Sequence, residues 1–99
     1  MVRHIVAWNY GDGFGDCENA ENAKGVKSKL EALRQIMDGC VELTVHIEPL
    51  PSSGKDVVLN SLFEDEGALS AYQAHPEHKK AAAYVGNVMQ NRVCIDYFE

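Results

Sequence analysis

The sequence lacks a long hydrophobic run and carries little positive charge. No stretch approaches the roughly 20 apolar residues that a membrane-spanning helix requires. The 9 Lys and Arg residues are outnumbered by 15 Asp and Glu residues, which gives a formal net charge of -6. No cluster of basic residues is interleaved with aromatic ones, and phosphate-rich ligands are disfavoured for the same reason. We therefore expect neither a membrane nor a nucleic acid as partner.

Cysteine is also scarce, and its spacing excludes two common roles. Cys17, Cys40 and Cys94 form no Cys-x-x-Cys pair, so neither a disulfide framework nor a zinc knuckle is indicated. His75 and His78 are three residues apart, but a proline lies between them and no carboxylate or cysteine at ligand spacing completes a metal set. We predict no bound metal and no cofactor.

Hydrophobic periodicity predicts a single domain over residues 1–99 with the element order β-α-β-β-α-β. Strands are predicted over 2–9, 40–48, 56–63 and 92–98, a first helix over 20–37, and a second helical region over 65–74 that resumes after Pro76 through 89. The chain starts at once with a strand and shows no charged and apolar leader, which indicates a cytoplasmic location. The predicted class is α+β and ferredoxin-like, with a four-stranded antiparallel sheet and both helices on one face.

The first and third predicted strands have apolar residues on both faces, although two helices can cover only one face. An open apolar sheet is unusual for a monomer, so we predict a homodimer in which two sheets form a barrel. If the face with His4, Val6 and Trp8 lines the interior of that barrel, it provides apolar walls for a small apolar or aromatic ligand. The alternative is a solid dimer core without a cavity.

The most informative segment is Tyr72-Gln-Ala-His75-Pro76-Glu-His78, where a hydroxyl and two imidazoles surround a helix break. Pro76 places His75 at the N-cap and His78 in the first turn of a new helix. The positive end of the helix dipole favours the neutral form of His78, which can accept a proton near neutral pH. The alternative is a capped kink with a core tyrosine.

Four segments together resemble the stress-responsive dimeric alpha/beta-barrel family. They are MVRHIV (1–6), DVVLNSLFED (56–65), AYQAHPEH (71–78) and RVCIDY (92–97), and the Tyr-x-x-His-Pro-x-His spacing is the most distinctive. The resemblance implies a ferredoxin-like subunit that pairs into a β-barrel dimer. Most members of that family have no defined activity, but it includes a plant polyketide cyclase of olivetolic-acid type, which works without a cofactor.

The resemblance also implies roles for individual residues. His78 matches the general base of that cyclase, Tyr72 the hydroxyl that orients and polarises the substrate, and His4 a histidine that lines the pocket. A further pocket histidine of the cyclase corresponds to Val57 here, which is a departure from its substrate-binding pattern. The expected catalytic residues are therefore His78 and Tyr72, and the expected substrate-binding residues are His4, Val6, Trp8, Val57 and His75.

Three functions remain open at this point. The first is a cofactor-free cyclase or isomerase that uses the His/Tyr pair for proton transfer. The second is a non-catalytic, stress-related binding protein. The third is a cofactor-independent monooxygenase-like enzyme, since other dimeric α+β barrels oxidise polycyclic substrates.

Overall fold

A computed structural model describes residues 1–99 and contains one sheet with helices on one face. The strands are β1 (Val2–Tyr10), β2 (Cys40–His46), β3 (Val57–Phe63) and β4 (Met89–Phe98). The helices are α1 (Asp16–Glu31), continued by a 3-10 segment (Ala32–Ile36), α2 (Glu66–Ala74) and α3 (Pro76–Val88). The predicted βαββαβ ferredoxin-like class is confirmed, as is the division of the second helical region at Pro76.

The strands are antiparallel and lie in the order β2-β3-β1-β4. Their register fixes which side chains share a face, because alternate residues of a strand point to opposite sides. Val6 pairs with Leu59 of β3 and Cys94 of β4, on the face that the helices cover. Ile5 pairs with Asn60 and Ile95, on the open face. The buried core of 19 residues lies between the first face and the helices.

Helix α1 begins four residues before the predicted start. Its first turn contains Asp16 and Glu18, which suit the positive end of the helix dipole, and the Glu18 carboxylate accepts a hydrogen bond from the Gly15 amide at 3.2 Å. The apolar stripe starts only at Ala23, so periodicity alone could not detect this polar, exposed turn. Strand β4 likewise begins at Met89, three residues before the predicted start, because α3 leads into it without a loop.

The ends of the other helices follow local chemistry. Gly39 adopts a φ of +78°, the left-handed conformation that glycine accepts readily, and it separates the 3-10 segment from β2. Asp65 caps α2 by accepting a hydrogen bond from the Ala68 amide at 2.8 Å. None of the helices is long and apolar enough to cross a membrane.

Candidate functional site

The break between α2 and α3 brings two acid/base side chains together. His75 has extended backbone and its Nδ1 accepts a hydrogen bond from the Glu77 amide at 3.0 Å, which caps α3. Pro76 occupies the first position of α3, where its missing amide proton is not needed. Tyr72 in α2 and His78 in α3 consequently meet, with 4.5 Å between their ring centroids.

These two rings line a cavity of about 300 Å³ between the sheet and the helices. Its size lies at the lower end of the range for small-molecule sites. The walls are mainly apolar, and a few polar groups face the space from α2, α3 and β4. The lining residues are His4, Val6, Trp8, Leu30, Leu59, Tyr72, Gln73, His78, Ala82, Val85, Gly86, Met89, Gln90, Asn91 and Arg92.

The position of this cavity corrects the expectation that His4, Val6 and Trp8 line the interior of a barrel made by two sheets. They lie on the face that the helices of the same subunit cover, and all three are buried. Strand β1 has apolar side chains on both of its faces. Hydrophobic periodicity therefore could not predict which face the helices cover. The cavity is therefore formed within one subunit.

Tyr72 is almost completely buried and its hydroxyl has no hydrogen-bond partner in the protein. Its ring packs against Phe63, with 5.0 Å between the centroids, which holds it against β3. Burial raises the pKa of Tyr72 well above its ordinary value, so the hydroxyl keeps its proton and can donate a hydrogen bond. Tyr72 lines the cavity, and a buried hydroxyl without a partner is a group whose hydrogen bond a ligand oxygen could complete.

His78 is half-buried, and its Nδ1 is buried without a partner. Burial is the main cause that lowers the pKa of His78, and electrostatic repulsion from His4 and Arg92 acts in the same direction. The backbone of Gln73 opposes this shift, although its contact with His78 falls short of hydrogen-bond geometry. The sequence predicted a neutral His78 from the helix dipole, and burial in the structure shifts the pKa of His78 in the same direction.

His4 is the third polar side chain of the cavity that the sequence predicted. It lies opposite Asp96 in the β1–β4 ladder, and its Nδ1 is hydrogen-bonded to the Asp96 carboxylate. The Cys94 sulfur lies 3.8 Å from the same nitrogen and 3.6 Å from the Asp96 carboxylate. The His4 ring is 6.3 Å from the Tyr72 ring between centroids. His4, Tyr72 and His78 thus line one space.

Two predicted substrate-binding residues lie outside the cavity. Val57 is buried in the core, where it pairs with Trp8 across the ladder, and does not reach the space near His78. His75 uses its Nδ1 to cap α3, as described above, and does not line the cavity. Of the predicted site residues, the structure brings five together around the cavity: His4, Val6, Trp8, Tyr72 and His78.

Arg92 is a polar contributor that sequence reasoning missed, and it is the only Lys, Arg, Asp or Glu side chain that lines the cavity. The ladder between β1 and β4 shifts register between Ala7 and Asn9, so that Asn91 and Arg92 both lie opposite Trp8. Asn91 takes a φ of +55° at this bulge. β-bulges redirect side chains, often next to functional sites, and no periodicity in 92–98 reveals one.

One group of side chains has the donor types that metals bind. Single donor atoms of His4, Cys94 and Asp96 all lie within 4.8 Å of one another, on the β4 side of the cavity. The hydrogen bond between His4 and Asp96 already pairs two of the three donors. We therefore describe the group as a hydrogen-bonded cluster.

The element order, the order of the strands in the sheet and the helices on one face define an α+β protein of the ferredoxin-like class. The chain belongs to the stress responsive A/B barrel domain family, Dabb, which it matches over residues 2–99. No match to the chain is found among curated proteins.

Solved structures show the same fold. A dimeric protein of unknown function from Bacteroides fragilis is 26% identical, with a TM-score of 0.88 over 97% of this chain and 93% of that one. A dimeric ferredoxin-like protein of unknown function from Thermobifida fusca is 23% identical, with a TM-score of 0.78 over 97% and 88%. A candidate antibiotic biosynthesis monooxygenase from Deinococcus radiodurans is 19% identical, with a TM-score of 0.73 over 100% and 92%.

Proposed function

We propose that this protein binds a small apolar or aromatic carbonyl compound and catalyses its cyclisation or isomerisation by proton transfer without a cofactor. The observation that carries this proposal is that two residues lining one mainly apolar cavity, Tyr72 and His78, each have a buried polar atom without a hydrogen-bond partner. Nδ1 of His78 and the hydroxyl of Tyr72 are both buried without a hydrogen-bond partner. Such atoms are costly unless a ligand or water completes their hydrogen bonds.

The two side chains have complementary protonation states. His78, whose pKa is lowered, is neutral at pH 7 and can take a proton from a carbon next to a carbonyl group. Tyr72, whose pKa is raised, remains protonated and can donate a hydrogen bond to the enolate oxygen that forms. The separation of the two pKa values in one cavity is the usual basis for an acid/base assignment.

We further infer that the protein acts as a homodimer through the open face of its sheet. That face exposes the apolar side chains Val93, Ile95 and Tyr97, although an isolated subunit would have no cover for them. Solved structures of the same fold are described as dimeric, including those from B. fragilis and T. fusca. Because the cavity lies on the opposite face, pairing would leave it intact.

The test measures exchange of the α-protons of phenylacetone in deuterium oxide by NMR. We expect the wild-type protein to accelerate exchange, and His78→Ala to lower the rate at least about 10²-fold because the general base is lost. Tyr72→Phe should lower it by about 10²-fold because the enolate oxygen loses a donor. His46→Ala is the matched control, since His46 is exposed on β2 and lines no part of the cavity.

The same experiment separates the alternatives. If phenylacetone shifts cavity resonances but exchanges no faster than in buffer, the non-catalytic binding hypothesis is supported. If His78→Ala exchanges as fast as the wild type, His78 is not the base and the proposed mechanism fails. Consumption of dioxygen with a polycyclic phenol would instead support the monooxygenase-like hypothesis.

A further inference from the structure

The cavity beside His78 has a buried interior, mainly apolar, and one exposed end. In the interior, Val6 and Leu59 belong to the sheet and Val85 to α3, and all three are buried. The exposed lining residues come from α2, α3 and β4: Gln73, Ala82, Gly86, Asn91 and Arg92. A ligand that fits this cavity has an apolar part inside and its charged group, if any, at the exposed end, because only there can a charge keep contact with water.

Arg92 is the positive charge at this exposed end, and it has no partner within the subunit. Of the 9 Lys and Arg side chains, four form ion pairs, two others donate hydrogen bonds to backbone carbonyl oxygens and one lies over a tyrosine ring. The two that remain are Lys79 and Arg92, and only Arg92 lines the cavity. Although the chain has 15 Asp and Glu residues, none of them forms an ion pair with Arg92. Its guanidinium is therefore free to pair with a ligand.

The β-bulge that directs Arg92 toward the cavity is held by two further contacts. Nζ of Lys55 donates a hydrogen bond to the backbone carbonyl of Asn91 at 2.8 Å, and Nδ2 of Asn91 donates one to Oδ1 of Asn9 at 3.3 Å. These contacts fix the left-handed backbone of Asn91, directly before Arg92. Arg92 is also close enough to His78 to lower its pKa. An anion on the guanidinium of Arg92 would therefore lie near the proposed base.

We propose that the cavity binds amphiphilic carboxylic acids, with the apolar body in the interior and the carboxylate on the guanidinium of Arg92 at the exposed end. This inference rests on the proposed function and narrows its carbonyl substrate to one that carries a carboxylate. A guanidinium can donate two parallel hydrogen bonds to a carboxylate, and one guanidinium matches its single charge. Because this end of the cavity is exposed, the carboxylate keeps part of its hydration and the cost of desolvation stays small.

The test compares 3-phenylpropanoate with 3-phenylpropanamide, which has nearly the same shape but no charge. Binding is followed by NMR titration through the ring resonances of Trp8 and His78, which both line the cavity. We expect the wild type to bind the acid about fivefold more tightly than the amide, the size expected for an ion pair that is exposed to solvent. Added salt should reduce this preference. Arg92→Gln should bind the acid and the amide with equal affinity, and circular dichroism checks that the variant folds.

Lys79→Gln is the matched control for the loss of one positive charge. Lys79 is the other cation without a partner, it is exposed, and it directly follows His78 in α3 without lining the cavity. The variant should keep the preference of the wild type for the acid. A general attraction between the anion and a less negative surface would instead fall equally in both variants.

Several results would overturn this inference. They are equal affinities of the wild type for the acid and the amide, a preference for the acid that survives in Arg92→Gln or falls equally in Lys79→Gln, and binding that leaves the Trp8 and His78 resonances unchanged. Tighter binding of 2-phenylethyl phosphate than of the acid would also overturn it, since the site would then select a phosphate ester. If the preference depends on Arg92 but phenylacetone is not exchanged, the proposed function fails and the carboxylate site stands. Exchange of phenylacetone without any preference for the acid has the opposite meaning.

Discussion

The two faces of the sheet are both apolar, but they differ in what covers them. On the helix-covered face, Val6 and Trp8 are buried and a cavity remains above them. On the open face, Val93 and Ile95 are exposed, and only a shallow apolar depression is present between β1 and β4. The same alternating pattern in one strand thus supports two different roles.

The polar residues show the same contrast. On the open face, Arg3 is paired with Glu42 at 2.9 Å and with Glu99 at 2.6 Å, so its charge is already satisfied within the subunit. On the helix-covered face, the polar atoms of Tyr72 and His78 have no partners. Satisfied charges beside exposed apolar residues are typical of an interface, whereas unsatisfied polar atoms in a cavity are typical of a site that binds a ligand.

The two faces can be compared by mutation, and the largest effect is expected for Ile95→Asp on the open face. Ile95 is 58% exposed in the subunit, and two copies of the variant would place carboxylates in an apolar interface. We expect the dimer dissociation constant, measured by sedimentation, to rise about 10²-fold or more, while His78→Ala should leave it unchanged.

The control for this prediction is Ile36→Asp, because Ile36 is similarly exposed at 52% but lies in the 3-10 segment and not on a strand of the sheet. Ile36→Asp should sediment as the wild type does. A wild type that sediments as a monomer at micromolar concentration would contradict the assignment of the open face to dimer formation.

A smaller effect is expected on the helix-covered face for Gly39→Ala. Gly39 has a φ of +78°, and a Cβ there would lie 2.7 Å from the Cβ of Ala68 in α2. We expect a loss of about 1–2 kcal/mol in the free energy of unfolding, measured with urea, from the strained backbone and the contact. Gly54→Ala is the control, because a Cβ at Gly54 meets nothing within 4 Å. Equal unfolding midpoints for the two variants would contradict this account.

Local rules predicted the part of the site that depends on neighbouring residues. The preference of proline for the first helical position is enough to place Tyr72 and His78 on two sides of a helix break, and the resemblance of the surrounding segment assigned their roles. His4 was also predicted by resemblance. The sequence therefore predicted most of the site where the acid/base side chains lie within seven consecutive residues.

The rest depends on long-range geometry that a local pattern does not contain. The pairing of His4 with Asp96 requires the exact register between the first and last strands. Arg92 reaches the cavity because of a bulge with a left-handed Asn91. Val57 was expected near a substrate only because a relative has histidine there, and its side chain packs in the core instead.

The smallest expected effect is a change in the pKa of His78 in the variant Arg92→Gln. The positive charge of Arg92 contributes to the lowered pKa of His78, although burial is the larger cause, so its removal should raise that pKa partway toward the ordinary value. Because the unfolded state binds a proton near pH 6.5 while native His78 resists protonation, the free energy of unfolding of the wild type should decline as the pH falls below about 6.5.

That decline should be smaller in Arg92→Gln, and the acid limit of phenylacetone exchange should move to higher pH. Proton NMR titration of His78 measures the shift directly, with the exposed neighbour Lys79→Gln as control; an equal titration midpoint in both variants would show that Arg92 does not act on His78.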